Sequence, residues 1–135
     1  MYCSGNGGYT GSWTNVSDVR FKKNIQNYTG ALNGLMQLQT KEYEYTDDEK
    51  YAHMNFSKGK QIGFIAQEVE KIFPTLVEDG THPGKLNKET GEEGEEINYK
   101  GMNYIGLIPV LTKAIQEQQK MIDELKEEIK ELKNQ

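Results

Sequence analysis

Residues 111–132 read LTKAIQEQQKMIDELKEEIKEL, and their spacing decides the architecture. Leu111, Ile115, Gln118, Ile122, Leu125, Ile129 and Leu132 follow one another at alternating intervals of four and three. That is the average of about 3.5 residues that defines a heptad seam. Ile115, Ile122 and Ile129 take the a positions, and Leu111, Gln118, Leu125 and Leu132 the d positions. Glu128 at g and Lys133 at the following e suit pairing between chains. An amphipathic helix lying on its own domain is the plainer reading, but it needs a wider apolar stripe than a and d alone supply. The spacing therefore predicts a C-terminal coiled-coil helix over 103–135, with Asn103 as N-cap and Pro109 in an early turn where a missing N–H is tolerated. Slightly more than about three heptads hold weakly alone, so the rest of the chain must contribute to assembly. Ile at a with Leu at d favours two parallel chains, and Gln118 fixes register without selecting a stoichiometry. The residues leave dimer and trimer open.

Upstream of the helix the pattern is one of short elements. Phe21, Ile25, Leu32, Leu35, Met36 and Leu38 are loosely helical, interrupted by Gly30 and Gly34, and predict one short helix near 29–38. Residues 41–46 alternate charged and aromatic side chains and predict a strand. Residues 47–60 read as a loop and 61–65 as the returning strand. Over 66–73 the face Val69, Ile72 and Phe73 predicts a helix that Pro74 ends. Residues 75–78 and 97–99 are short strand candidates. Residues 79–96 (DGTHPGKLNKETGEEGEE) carry no apolar pattern and read as disorder or as an extended arm. Residues 1–16, rich in Gly, Ser, Thr and Asn, read as a connector or the end of something larger. The fold class is α+β: a small globular domain of short helices and strands over 17–102, followed by the long helix.

Bulk composition narrows the function. The chain has 135 residues, 35% hydrophobic and 27% charged, so a lone core is thin and burial between chains is expected. A net charge of −5 argues against nucleic acid or an acidic membrane as partner. No apolar run spans a bilayer and no signal-peptide pattern opens the chain. The single cysteine, Cys3, rules out an intrachain disulfide or a cysteine zinc cluster. His53 and His82 stand apart without metal-ligand spacing, so no metal or cofactor is expected.

One short stretch carries possible chemistry. Ser17-Asp18-Val19-Arg20-Phe21-Lys22 holds a hydroxyl nucleophile and an amine base five residues apart. A Ser–Lys pair can cut a peptide bond without histidine if the lysine is neutral. Free lysine titrates near ~10.4, so the fold must lower it to roughly 7–8 by burial or a neighbouring cation. Arg20, lying between the two, can be that cation. Such residues in a polar stretch are more often a helix cap with solvated charges.

The blocks Ser17-Asp18-x-Arg20-x-Lys22-x-x-Ile25, Ile62-Gly63-Phe64-Ile65-Ala66-Gln67-Glu68-Val69, Pro74-Thr75-Leu76-Val77, and Tyr104 to Gln118 running into a coiled coil together resemble the peptidase S74 family. These are the C-terminal intramolecular chaperone domains of phage tail spikes, tail fibres and neck appendages, and the chain looks closest to the neck appendages. The resemblance covers about residues 17–130. It implies a domain that helps three chains of an elongated upstream shaft assemble in register and then cuts itself free. Ser17 would be the nucleophile and Lys22 the general base, and the scissile bond would be Val16–Ser17, with the other side of Ser17 left open. Asp18 and Arg20 match the motif as supporting residues, orienting the turn or tuning Lys22. It further implies a homotrimer, the shaft of the same polypeptide as partner, residues 1–16 as the shaft's stub, and 79–96 as an arm along it. Assembly would take place in the host cytoplasm, with the domain released after a single turnover. The alternative is a trimerisation domain that stays attached, with Ser17 a cap and Lys22 a surface charge. A transcription-factor fragment like the family's eukaryotic relative is disfavoured by the acidic charge.

Overall fold

The computed structural model describes residues 7–135. Cys3 and the first part of the 1–16 stub lie outside the described residues. The described chain is α+β, with short helices, two small sheets and one long C-terminal helix. It divides into two compact units: residues up to 27 with 42–62 and 82–97, and residues 28–41 with 63–81 and 98–135.

The second unit holds the apolar core. Its centre is Ala31, Val69, Phe73, Leu76, Leu107, Val110 and Ala114, with Leu32, Leu35, Leu38, Phe64, Ile72, Val77 and Met102 packed around them. Helix α1 spans Ala31–Leu35, shorter than the 29–38 that the apolar spacing predicts. The reason is Gly30, which sits at φ 75°, a left-handed conformation incompatible with continuing the helix backwards. Past Leu35 single turns carry on to Leu38, whose N–H bonds Leu35 C=O. Helix α2, Ala66–Glu70, buries Val69 as the 66–73 pattern predicts, and Ile72 and Phe73 follow in the turn. Pro74 then opens a 3-10 turn, Pro74–Leu76, where its missing N–H is harmless.

Helix α3 runs Leu107–Lys133, starting later than an Asn103 N-cap predicts. Asn103 instead caps the turn before it, its Oδ1 accepting from Gly106 N–H at 2.9 Å. Pro109 falls in the first helical turn. Besides packing on α1 in the core, the helix is tied to it by a carboxylate. Glu117 Oε1 accepts from Gly30 N–H at 2.8 Å, Oε2 from Leu32 N–H at 2.8 Å, and Oε1 from Ala31 N–H at 3.4 Å. This carboxylate satisfies α1's open donors, a task normally done by an N-cap side chain. The Leu32 N–H, with lesser help from those of Gly30 and Ala31, holds the Glu117 carboxyl below its ordinary range, against an opposing desolvation effect. A lowered folded-state value means the tie contributes fully above the ordinary glutamate pKa, near ~4.3, and is lost as pH falls through the folded value. Glu117→Ala is expected to lower the thermal midpoint at neutral pH, with the difference from the native chain closing in strong acid. Thermal unfolding followed by circular dichroism across pH checks this.

Strands β1 (Lys41–Tyr43) and β2 (Gln61–Gly63) form one sheet, and β3 (Val77–His82) and β4 (Ile97–Met102) the other. Each is close to its predicted strand, although β1 and β2 are shorter and β3 and β4 longer. The loop expected over 47–60 contains a 3-10 helix, Glu49–Met54, started by Asp48, whose side chain accepts from Lys50 N–H. Tyr45 stacks on Phe56 at 4.7 Å across this excursion.

Residues 79–96 are not disordered. After β3, Leu86 and Glu93 form an antiparallel bridge. The turn between them is closed by Gly91 N–H to Asn87 C=O at 2.8 Å and by Asn87 Oδ1 accepting from Glu89 N–H at 2.9 Å. Gly84 lies so close to Gly94 that a Cβ there would overlap the Gly94 carbonyl. Backbone order replaces apolar burial in this stretch, which is why an apolar pattern could not reveal it.

Candidate functional site: the Ser17–Lys22 turn and the open face of α3

Asp18 has extended backbone and caps a 3-10 turn, Val19–Phe21, by accepting from Arg20 N–H at 2.9 Å. Phe21 N–H bonds Asp18 C=O and Lys22 N–H bonds Val19 C=O, each at 3.1 Å. Five extended residues would reach about 16–18 Å, whereas a 3-10 turn rises about 2.0 Å per residue. The turn therefore folds the chain back until Lys22 Nζ donates to Ser17 Oγ at 2.7 Å. The two residues singled out as nucleophile and base are in direct contact. Both are exposed, and Val16 is 81% exposed, so water reaches the Val16–Ser17 bond.

Arg20 points elsewhere. Its Nε donates to Asp18 Oδ1 at 3.1 Å and its Nη2 to Asp18 Oδ2 at 2.9 Å, a two-point guanidinium–carboxylate pair. The Arg20 side chain, and next its backbone N–H, hold the Asp18 carboxyl below its usual range, and Asp18 raises Arg20. Its charge is thus balanced by Asp18.

The α3 helix has two apolar faces. Leu107, Val110 and Ala114 are buried in the core of their unit, and Glu117 continues that face. The other face is open: Leu111, Ile115, Ile122, Leu125, Ile129 and Leu132 are all exposed, Ile115 to 64%. Gln118 is exposed between them. Ile108, 60% exposed, lies three residues before Leu111 and extends the same four-three spacing by one residue, beside Pro109. Residues 118–135 are exposed throughout. Their visible support within the chain includes pairs such as Lys120–Glu124 and Asp123–Lys126 at 3.9 Å, and exposed pairs of this kind contribute only about 0.3–0.5 kcal/mol.

The two histidines, 29 positions apart in sequence, meet in space. Their rings pack edge to face at 5.2 Å, and each turns a nitrogen to the Pro83 carbonyl, His82 Nδ1 at 2.6 Å and His53 Nε2 at 3.2 Å. A carbonyl only accepts, so those nitrogens carry the protons. Among the described residues no cluster of three or more His, Cys, Asp or Glu is arranged to hold a metal. No helix among them is long and apolar enough to cross a membrane.

Comparison with known proteins agrees with the blocks around the turn. The family described as chaperone of endosialidase, peptidase S74, matches residues 17–78, a segment that begins at Ser17 itself. The long tail fiber protein Gp37 of Salmonella phage S16 is 31% identical over 122 residues, 87% of this chain, and the aligned region is 14% of that protein's length. Residues 17–78 of the chain are thus similar to the peptidase S74 family, the chaperones of endosialidase, and the chain spans about one seventh of the length of the tail fibre protein it resembles.

Proposed function

We propose that this chain is the intramolecular chaperone of a phage fibre or appendage, which brings three copies of an upstream shaft into register and then severs itself at Ser17. The observation that carries the reading is the 2.7 Å contact between Lys22 Nζ and Ser17 Oγ at the start of the family segment. With the amine neutral, the hydroxyl proton passes to Lys22 Nζ as Ser17 Oγ attacks the carbonyl carbon of Val16. The proton then goes to the departing backbone nitrogen of Ser17, the C–N bond breaks, and Val16 is left as an ester on Oγ. Water adds to that ester, releasing Val16 as a carboxylate and restoring the Ser17 hydroxyl beside a new amino terminus. Each chain is cut once.

The partners in this reading are two further copies of the chain, joined along the open face of α3, and the shaft of the same polypeptide. Similarity to a tail fibre protein supports a fibre context, and assembly in this reading takes place in the host cytoplasm. Intact-mass measurement of the purified chain, with native sizing, tests it. A fragment beginning at Ser17 within a trimer is expected. A fragment beginning at Asp18 would move the cut to the other side of Ser17. A folded trimer that stays whole would leave the attached trimerisation domain as the function.

A further inference from the structure

We infer that Asp18 is the positioning residue of the cleavage turn, holding Lys22 on Ser17 through Arg20 and taking no part in the proton transfer itself. The inference rests on the proposed cleavage and assigns one of its unassigned residues. Asp18 is the residue immediately after the nucleophile, and it has two distinct acceptor tasks. Its Oδ1 takes the Arg20 N–H, fixing the first peptide of the turn, and both oxygens hold the Arg20 side chain against the same turn. The guanidinium carbon also lies 5.7 Å from the Phe21 ring, so Arg20 is held from two sides. Lys22 follows directly as the residue closing the turn, its N–H on Val19 C=O.

The alternative is that Asp18 acts on Lys22 by charge. The geometry disfavours it, because both carboxylate oxygens are engaged by Arg20 and the pair is balanced within itself. The two roles predict different results for an isosteric change. Asn at 18 keeps an oxygen for the Arg20 N–H and removes the charge, while Ala removes both.

In the native sequence background, Asp18→Ala is expected to slow cleavage about 10²-fold, the usual effect of losing alignment of reacting groups. The pH profile should keep its shape at a lower level. Asp18→Asn should recover most of the rate. If Asp18→Asn cuts as slowly as Asp18→Ala and its pH profile is displaced, the charge role holds and the positioning role is overturned. Cleavage of Asp18→Ala at the native rate overturns it too. A second measurement stands apart from cleavage. In the uncut Ser17→Ala background, the Arg20 amide should lose hydrogen-exchange protection in Asp18→Ala and keep it in Asp18→Asn. Unchanged protection in Asp18→Ala refutes the inference even if the native chain is never cut. A native chain that stays whole while protection responds as expected refutes the cleavage reading and leaves Asp18 as the organiser of the turn.

Discussion

Lys22→Ala is expected to leave the chain whole under conditions in which the native chain is cut to completion. Loss of a positioned general base slows a reaction by about 10²–10⁴-fold, enough to turn cutting within minutes into hours or days. Lys22→Arg is the sharper variant. Arginine keeps the positive charge and can still donate to Ser17 Oγ, but it does not deprotonate in proteins. If Lys22 serves only as a charge or a structural contact, the arginine variant cuts normally. If it is the base, both variants stay whole. Hydroxylamine adds a check on the ester. It should speed release from a native chain paused after the acyl shift and do nothing for Lys22→Ala, which never forms the ester. Intact mass spectrometry with time reads every arm, and circular dichroism verifies that α3 is unchanged.

The second large effect is expected at Ile122. This residue sits on the open face of α3, well beyond the Leu107–Ala114 turns that pack into the domain, so replacing it leaves the domain's own core untouched. Burial of such a side chain contributes about 1.5–3 kcal/mol. Lost from all three chains of the proposed trimer, it would weaken assembly by roughly 10³–10⁶-fold, and an aspartate in its place would add the burden of a buried charge. Ile122→Asp should therefore run as a monomer in sedimentation velocity at concentrations where the native chain is trimeric. Unchanged sedimentation of Ile122→Asp would exclude the seam as the joining surface.

The parts of this fold that were legible from sequence are those with their own periodicity. The long helix shows itself through a repeat that needs no partner to be recognised, and its missed first member, Ile108, was there in the same spacing. Val69, Ile72 and Phe73 were legible for the same reason. The shorter elements depend on single backbone events. The extent of α1 is decided by the left-handed Gly30, and the 3-10 helix at 49–54 by the Asp48 cap. Neither has a repeating signature. The Glu117 tie joins residues 85–87 positions apart, and nothing local to Glu117 announces it. The 79–96 stretch is organised by backbone bonds and by the close approach of Gly84 to Gly94, so its charge pattern pointed to disorder. At the site, the spacing of Ser17 and Lys22 was visible, but only the 3-10 turn makes that spacing a contact. The Asp18–Arg20 pairing likewise turns what looked like a free cation near the lysine into a closed hinge of the turn.

The first turns of α3 serve two masters, since Leu107, Val110 and Ala114 face inward on the same turns that present Ile108, Leu111 and Ile115 outward. A rotation of the helix by a fraction of a turn would spoil both faces together. A chain whose body has folded wrongly would therefore offer its neighbours a misaimed surface. In the proposed trimer, recognition between chains would in this way proofread the fold of each of them before the proposed cut is made.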